Sequence, residues 1–147
     1  MVTRKMTSPM PDPMPEPMPN FPLLTDANNQ WLDARAQALD AGNGEATAAV
    51  VPYLAEAGLL GHGLADALGG QGGSAGNAIE AIAQVAAHSM SAAFAFWGQR
   101  VLIEMLANTG NAALRERWLP ALLAGEAAGA SGLSNIMKFL SGLEALN

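Results

Sequence analysis

Cysteine is missing from the sequence, which excludes both a disulfide framework and a Cys-based zinc site and leaves stability to an ordinary packed core. Charge is scarce as well. Seven Lys and Arg stand against 13 Asp and Glu in 147 residues, a net charge of −6. Residues 1–22 sum to zero, so the acidic balance belongs to 23–147, where no basic stripe is available to meet phosphates; nucleic acid is excluded as a partner. β-branched residues are few: Val, Ile and Thr together occur 14 times, Ala 30 times. Ala is the strongest helix former and β-branched residues favour strands, so the composition predicts an all-α fold.

Long apolar runs are also lacking. The longest charge-free stretch outside the Gly-rich region runs from Ala81 to Gln99, nineteen residues, nearly the length of a bilayer span. Gln84, His88, Ser89, Ser91, Gly98 and Gln99 interrupt it, and a polar cluster at its centre would be costly in hydrocarbon. The stretch therefore reads as a buried helix pair, with no membrane partner. A secretory signal needs a continuous apolar segment near the start, whereas residues 9–22 hold seven of the nine prolines. Residues 1–22 are read as a disordered Pro/Met-rich tail, neither cleaved nor exported, and the chain as cytoplasmic.

From Thr25 the pattern turns helical. Thr25 or Asp26 can cap a helix near 26–41 that places Trp31, Leu32, Ala36 and Leu39 on one side. Glu45 to Ala57 makes a second, in which Pro52 should kink the helix or mark its beginning. Residues 58–76 contain eight glycines and read as a long connection with one short turn around Leu64 to Leu68. A third helix starts at Ser74 or Asn77 with Ile79, Ile82, Val85 and Ala86 inward, and breaks at His88 to Ser91. Ser89 or Ser91 caps the next, which carries Phe94, Trp97, Val101 and Met105; the stripe of Phe94, Trp97 and Met105 reads as core, part of which could line a cavity. Asn111 caps a helix with Leu114, Trp118, Leu119 and Leu122 on its apolar side. Beyond Gly125 the periodicity fades.

Candidate chemistry is thin. Gly70 to Ala75 satisfies G-x-G-x-x-A, a dinucleotide fingerprint, but no strand precedes it and no βαβ unit follows, so it reads as a connection between helices. His62 and Asp66 are four apart with His88 distant, which does not make a metal site. No Ser-His-Asp order and no close carboxylate pair points to nucleophilic or acid–base work.

Taken together, Leu59 to Leu68 followed by GGQGGS, then IEAIAQVAAHSMSAAFAFWGQ, then LANTGNAALRERWLPALLAGEAAGASGLS resemble the N-terminal helical domain of the acyl-CoA dehydrogenase family over about residues 50–135. The most specific parts are Leu68 to Ser74 and Arg117-Trp118-Leu119-Pro120 leading to Gly125-Glu126 and Gly129-Ala130. The resemblance implies an up-and-down helical bundle over 23–130 and the start of a flavin-contacting segment over 131–147. It implies a flavoenzyme with a β-domain and a C-terminal helical bundle besides this one. Such an enzyme binds FAD and dehydrogenates an acyl-CoA thioester: a carboxylate takes the α-proton while flavin N5 accepts the β-hydride.

By that resemblance Trp97 and Gln99 fall beside the acyl chain, and Leu133 and Ser134 beside the flavin. No residue matches the catalytic Glu, and no metal ligand is assigned. The family's Ala-Leu-Thr-Glu-Pro run reads Gly132-Leu133-Ser134-Asn135-Ile136 here: Ser134 keeps the hydroxyl, while Glu and Pro are replaced. The chain is therefore expected to hold FAD weakly and to be inactive by itself, relying on the missing β-domain and bundle or on a homo-oligomer partner. A flavin-dependent monooxygenase of the same superfamily and a non-catalytic helical interaction module are the alternatives.

Overall fold

The computed structural model describes residues 23–130, 132–143 and 145, apart from the side chains at 133 and 134; the tail reading for 1–22 lies outside it. Among the described residues there are six α-helices and no strand: α1 (Asp26–Asp40), α2 (Gly44–Glu56), α3 (Ala75–His88), α4 (Met90–Ala107), α5 (Ala112–Leu123) and α6 (Leu133–Leu140). The bundle is all-α as the composition requires.

Local chemistry sets the helix starts. Asn28 N–H donates to Thr25 Oγ1 at 3.2 Å while Thr25 N–H donates to Asn28 Oδ1 at 2.8 Å, a reciprocal box that opens α1. Asn111 accepts from Leu114 N–H at 3.0 Å to open α5. Ser89 both ends α3 and opens α4, its hydroxyl accepting from Ala92 N–H at 3.2 Å. That one residue turns the charge-free stretch into a helical hairpin instead of a span, and among the described residues no helix is long and apolar enough to cross a membrane.

Helix α4 is the centre of the bundle and packs against α1, α2, α3 and α5. Its buried residues are Ala92, Ala93, Phe96, Gln99, Arg100, Ile103 and Leu106. This differs from the expected stripe, because Phe94, Trp97 and Met105 are 71%, 48% and 58% exposed. Helix α4 is apolar almost all round, so periodicity alone does not choose its inner face; the neighbouring helices choose the side with small Ala residues, which permits close approach. Ile79 likewise points outward, but Val85 is buried as expected, together with Ala78 and Ala81, and Ile82 and Ala86 pack partly buried against the core. On α5, Leu119 and Leu122 are buried while Leu114 and Trp118 are partly exposed.

Three further departures are local. Pro52 sits inside α2 without ending it. It removes one intrahelical donor, and both Pro52 and Ala48, the residue four back, are exposed, where water can meet a freed carbonyl. The Gly-rich connection holds two short 3₁₀ turns, Leu59–Gly61 and Asp66–Leu68, instead of one. Helix α6 follows Gly132 where periodicity was expected to fade.

Candidate functional site

The face of α4 opposite the core opens on a cavity of about 760 Å³. Phe94, Trp97 and Gly98 wall it from α4, Val51 and Thr47 from α2, and Ala128, Gly129 and Ala130 from the chain that follows α5; Met137 of α6 closes one side. The rings of Phe94 and Trp97 stand 5.5 Å apart at 36° and form a raised aromatic rim. Among the described lining residues Thr47 supplies the one side-chain hydroxyl, and none is an acid or a base.

Gln99 holds this wall in place. Its buried side-chain amide donates to Leu122 O and to Ala127 O, both at 2.9 Å, and its Oε1 accepts from Gly129 N–H at 2.8 Å. Both amide hydrogens are thereby used on the backbone that leaves α5. Gly129 lies so close to α4 that an added Cβ would collide with Leu102 and come within 3.2 Å of Leu122. Just upstream, Gly125 (φ 71°) rests on α2, where an added Cβ would sit 2.9 Å from Pro52 Cα. Two glycines and one glutamine thus fix the strip from which the cavity wall is made.

Next to Gln99, Arg100 is buried on the opposite side of this wall. Its guanidinium donates to Leu60 O at 3.2 Å and to Glu104 Oε2 at 3.3 Å. His62 is half-buried near it, and burial first, then the Arg100 charge, hold its imidazole below the usual 6.5. The linkage has a definite sign. Above pH 6.5 His62 is neutral folded or unfolded; below it the unfolded chain takes the proton first, so stability declines as pH falls through the depressed folded value. Urea titrations across this window should show that part of the slope disappearing in His62→Gln, and an unchanged slope would remove His62 from the account.

The Gly-rich connection is a self-contained hairpin. Gly63 N–H donates to Gly72 O at 2.9 Å, Gly72 N–H to Leu64 O at 2.8 Å and Gln71 N–H to Gly61 O at 2.9 Å. Gly69 and Gly70 donate to Asp66 O and Ala65 O. The N–H groups of Gly69 to Gly72 are spent within the loop and that of Ser74 on Asn77 Oδ1, and no strand precedes them among the described residues, so the fingerprint is a connection between helices. His88 pairs with Asp33 at 2.8 Å and holds the α3–α4 corner to α1. Among the described residues no three His, Asp or Glu side chains gather as a metal would require.

A family model described as the acyl-CoA dehydrogenase N-terminal domain matches residues 27–126. The chain belongs to the acyl-CoA dehydrogenase family. No curated protein and no solved structure matches it. Within this acyl-CoA dehydrogenase domain, Trp97 lines the cavity, whereas Gln99 lies beneath the wall and touches backbone. Backbone at Leu133 and Ser134 begins α6; their side chains lie outside the described residues. Gly98 shapes the cavity but carries no motif, whereas Gly129 belongs to the Gly129-Ala130 part of the resemblance. An isolated glycine inside a helical pattern, as at Gly98, was the available signal.

The described part of this acyl-CoA dehydrogenase domain does not fit FAD by itself. The N–H groups of Gly69 to Gly72 bond within the loop, Arg100 is buried, Arg115 donates to Thr109 O at 3.2 Å, and Arg117 lies over Trp118. These residues form no cradle for a pyrophosphate.

Proposed function

We propose that this chain supplies the acyl-chain side of an acyl-CoA dehydrogenase-type flavoprotein in cytoplasmic fatty-acid metabolism. The cavity carries this reading: its volume lies within the range of about 300–1,000 Å³ usual for small-molecule sites, and its described wall is mostly apolar. Such a wall can take an alkyl group out of water and orient it, and its described residues include no acid or base to move a proton. Proton abstraction and acceptance of hydride therefore fall to groups outside it, the carboxylate and FAD of the family's other domains.

In this reading Trp97 touches the acyl group, and Gln99 is a positioning residue that fixes the opposite wall. Leu133 and Ser134 border the flavin in the assembled enzyme. The 147-residue chain alone binds acyl-CoA weakly, holds no FAD tightly and does not turn over. The exposed apolar residues of α4 and α6, with Phe94 71% and Leu140 70% exposed, favour a second reading, a helical module that docks on a partner.

Calorimetric titration of the chain with octanoyl-CoA and hexadecanoyl-CoA, beside an absorption titration with FAD, tests the proposal. Acyl-CoA binding that strengthens with chain length and leaves the FAD spectrum unchanged is the expected result. A chain that ignores both thioesters would overturn the acyl reading, and self-association by the same protein would favour the module.

A further inference from the structure

We propose that the Pro/Met-rich segment 9–22 docks on the outward stripe of α4, so that the chain covers its own exposed aromatic surface. Met90, Phe94, Trp97 and Met105 lie along that stripe and are all exposed. Single apolar residues on a surface need no explanation, but four on one side of one helix mark an interaction surface. The inference goes beyond the acyl reading and does not rest on it, since it concerns the outside of α4 and needs no ligand. Docked there, the segment shields Trp97 from any other occupant of this side.

The attachment of the segment brings it close. Leu23 and Leu24 N–H donate to Gln84 Oε1 at 2.8 and 3.2 Å, which pins the residues that follow the segment to α3. Gln84 precedes the Ser89 corner by five residues and Phe94 follows it by five, so the two stand at similar heights in the α3–α4 hairpin. Extended, residues 18–22 reach about 15 Å, against about 8–10 Å between the axes of packed helices.

The chemistry of the segment fits the stripe. Pro at every second position from 9 to 19 favours the polyproline geometry that aromatic-lined surfaces recognise. With three residues per turn, Pro11, Met14 and Pro17 share one face, and Asp12 and Glu16 fall on the other two. That uncharged face is about 19 Å long, and Phe94 to Met105 covers about 17 Å of α4. Charge favours this occupant over a second copy. Residues 23–147 hold the whole net charge of −6, so two such surfaces repel, whereas residues 1–22 sum to zero and are held by their tether at millimolar effective concentration.

Because the chain has no cysteine, a nitroxide on Met10→Cys marks a single position and leaves Pro11, Met14 and Pro17 in place. The indole N–H signals of Trp31, Trp97 and Trp118 then report where the segment lies. Loss of the Trp97 signal, with Trp31 and Trp118 retained, is the expected result. A segment that stayed near its anchor without docking would attenuate Trp31, the tryptophan nearest to Leu23 in the chain, at least as strongly. Phe94→Gln, at an exposed position, should restore the Trp97 signal with the melting temperature unchanged. Equal attenuation of the three indoles, no attenuation, or a Trp97 loss that persists in Phe94→Gln would overturn the inference. So would loss of the Trp97 signal from isotope-labelled wild-type chain mixed with nitroxide-labelled chain, which would assign the stripe to a second copy.

Discussion

Gln99→Leu is expected to destabilise the chain by about 2–3 kcal/mol, because a side chain of similar size leaves Ala127 O and Gly129 N–H without their partners and Leu122 O with only the Gly125 N–H, at 3.3 Å. Each such group costs about 1–3 kcal/mol when fully buried. Gly129 is only half-buried and can recover water, so the sum stays below three full penalties. Gln99→Glu gives a second, pH-dependent signature. A carboxylate would still accept from Gly129 N–H but would face two carbonyl oxygens in a dry site, which favours its protonated form when folded. An acid whose folded pKa is raised contributes stability below its unfolded value, about 4.3 for Glu, and loses it as pH rises. Urea denaturation at several pH values reads both effects. Amide exchange at Gly129 reports whether the wall has come loose. A Gln99→Leu chain as stable as wild type, with Gly129 still protected, would mean that the strip is held by its glycine contacts and not by the amide.

Caps were legible in the sequence because their physics is local: Thr25 with Asn28, Ser89, and Asn111 each meet an N–H three residues away. The orientation of α4 was not. Phe94, Trp97 and Met105 form as good a stripe as Phe96, Ile103 and Leu106, and only the approach of α1, α2, α3 and α5 decides between them. The face that won carries Ala92 and Ala93, which let neighbouring helices approach closely around the buried Phe96. Gln99 and Arg100 were hidden for another reason. Their partners, Leu122, Ala127 and Leu60, lie 23 to 40 residues away, and a buried polar side chain cannot be told from an exposed one until its acceptor is in place. The cavity was legible in part: Phe94 and Trp97 of the expected stripe line it, whereas its far wall, Val51 and residues 128–130, comes from segments distant in the chain.

The Gly-rich hairpin shows the opposite case, in which a sequence signature is more specific than its first explanation. Gly70→Ala is expected to cost about 3 kcal/mol, at the upper end for an overpacked site. An added Cβ would lie 2.5 Å from the Leu64 carbonyl carbon and 2.6 Å from Leu64 Cβ, so the clash is with backbone and not with the end of a flexible side chain. Leu64 cannot withdraw at low cost. It is buried in the core, and its carbonyl accepts the Gly72 N–H that closes the hairpin at 2.8 Å. Gly110→Ala is the matched control: a Cβ there meets nothing, its φ is not positive, and the change should stay within about 0.5 kcal/mol. The consequence should extend beyond the loop, since Gly69 abuts Leu123 at the end of α5, just ahead of the strip that Gln99 clamps. Thermal unfolding followed by circular dichroism compares the two variants. If Gly70→Ala melts with wild type, the hairpin can open without the core, and its glycines would need an explanation other than close packing.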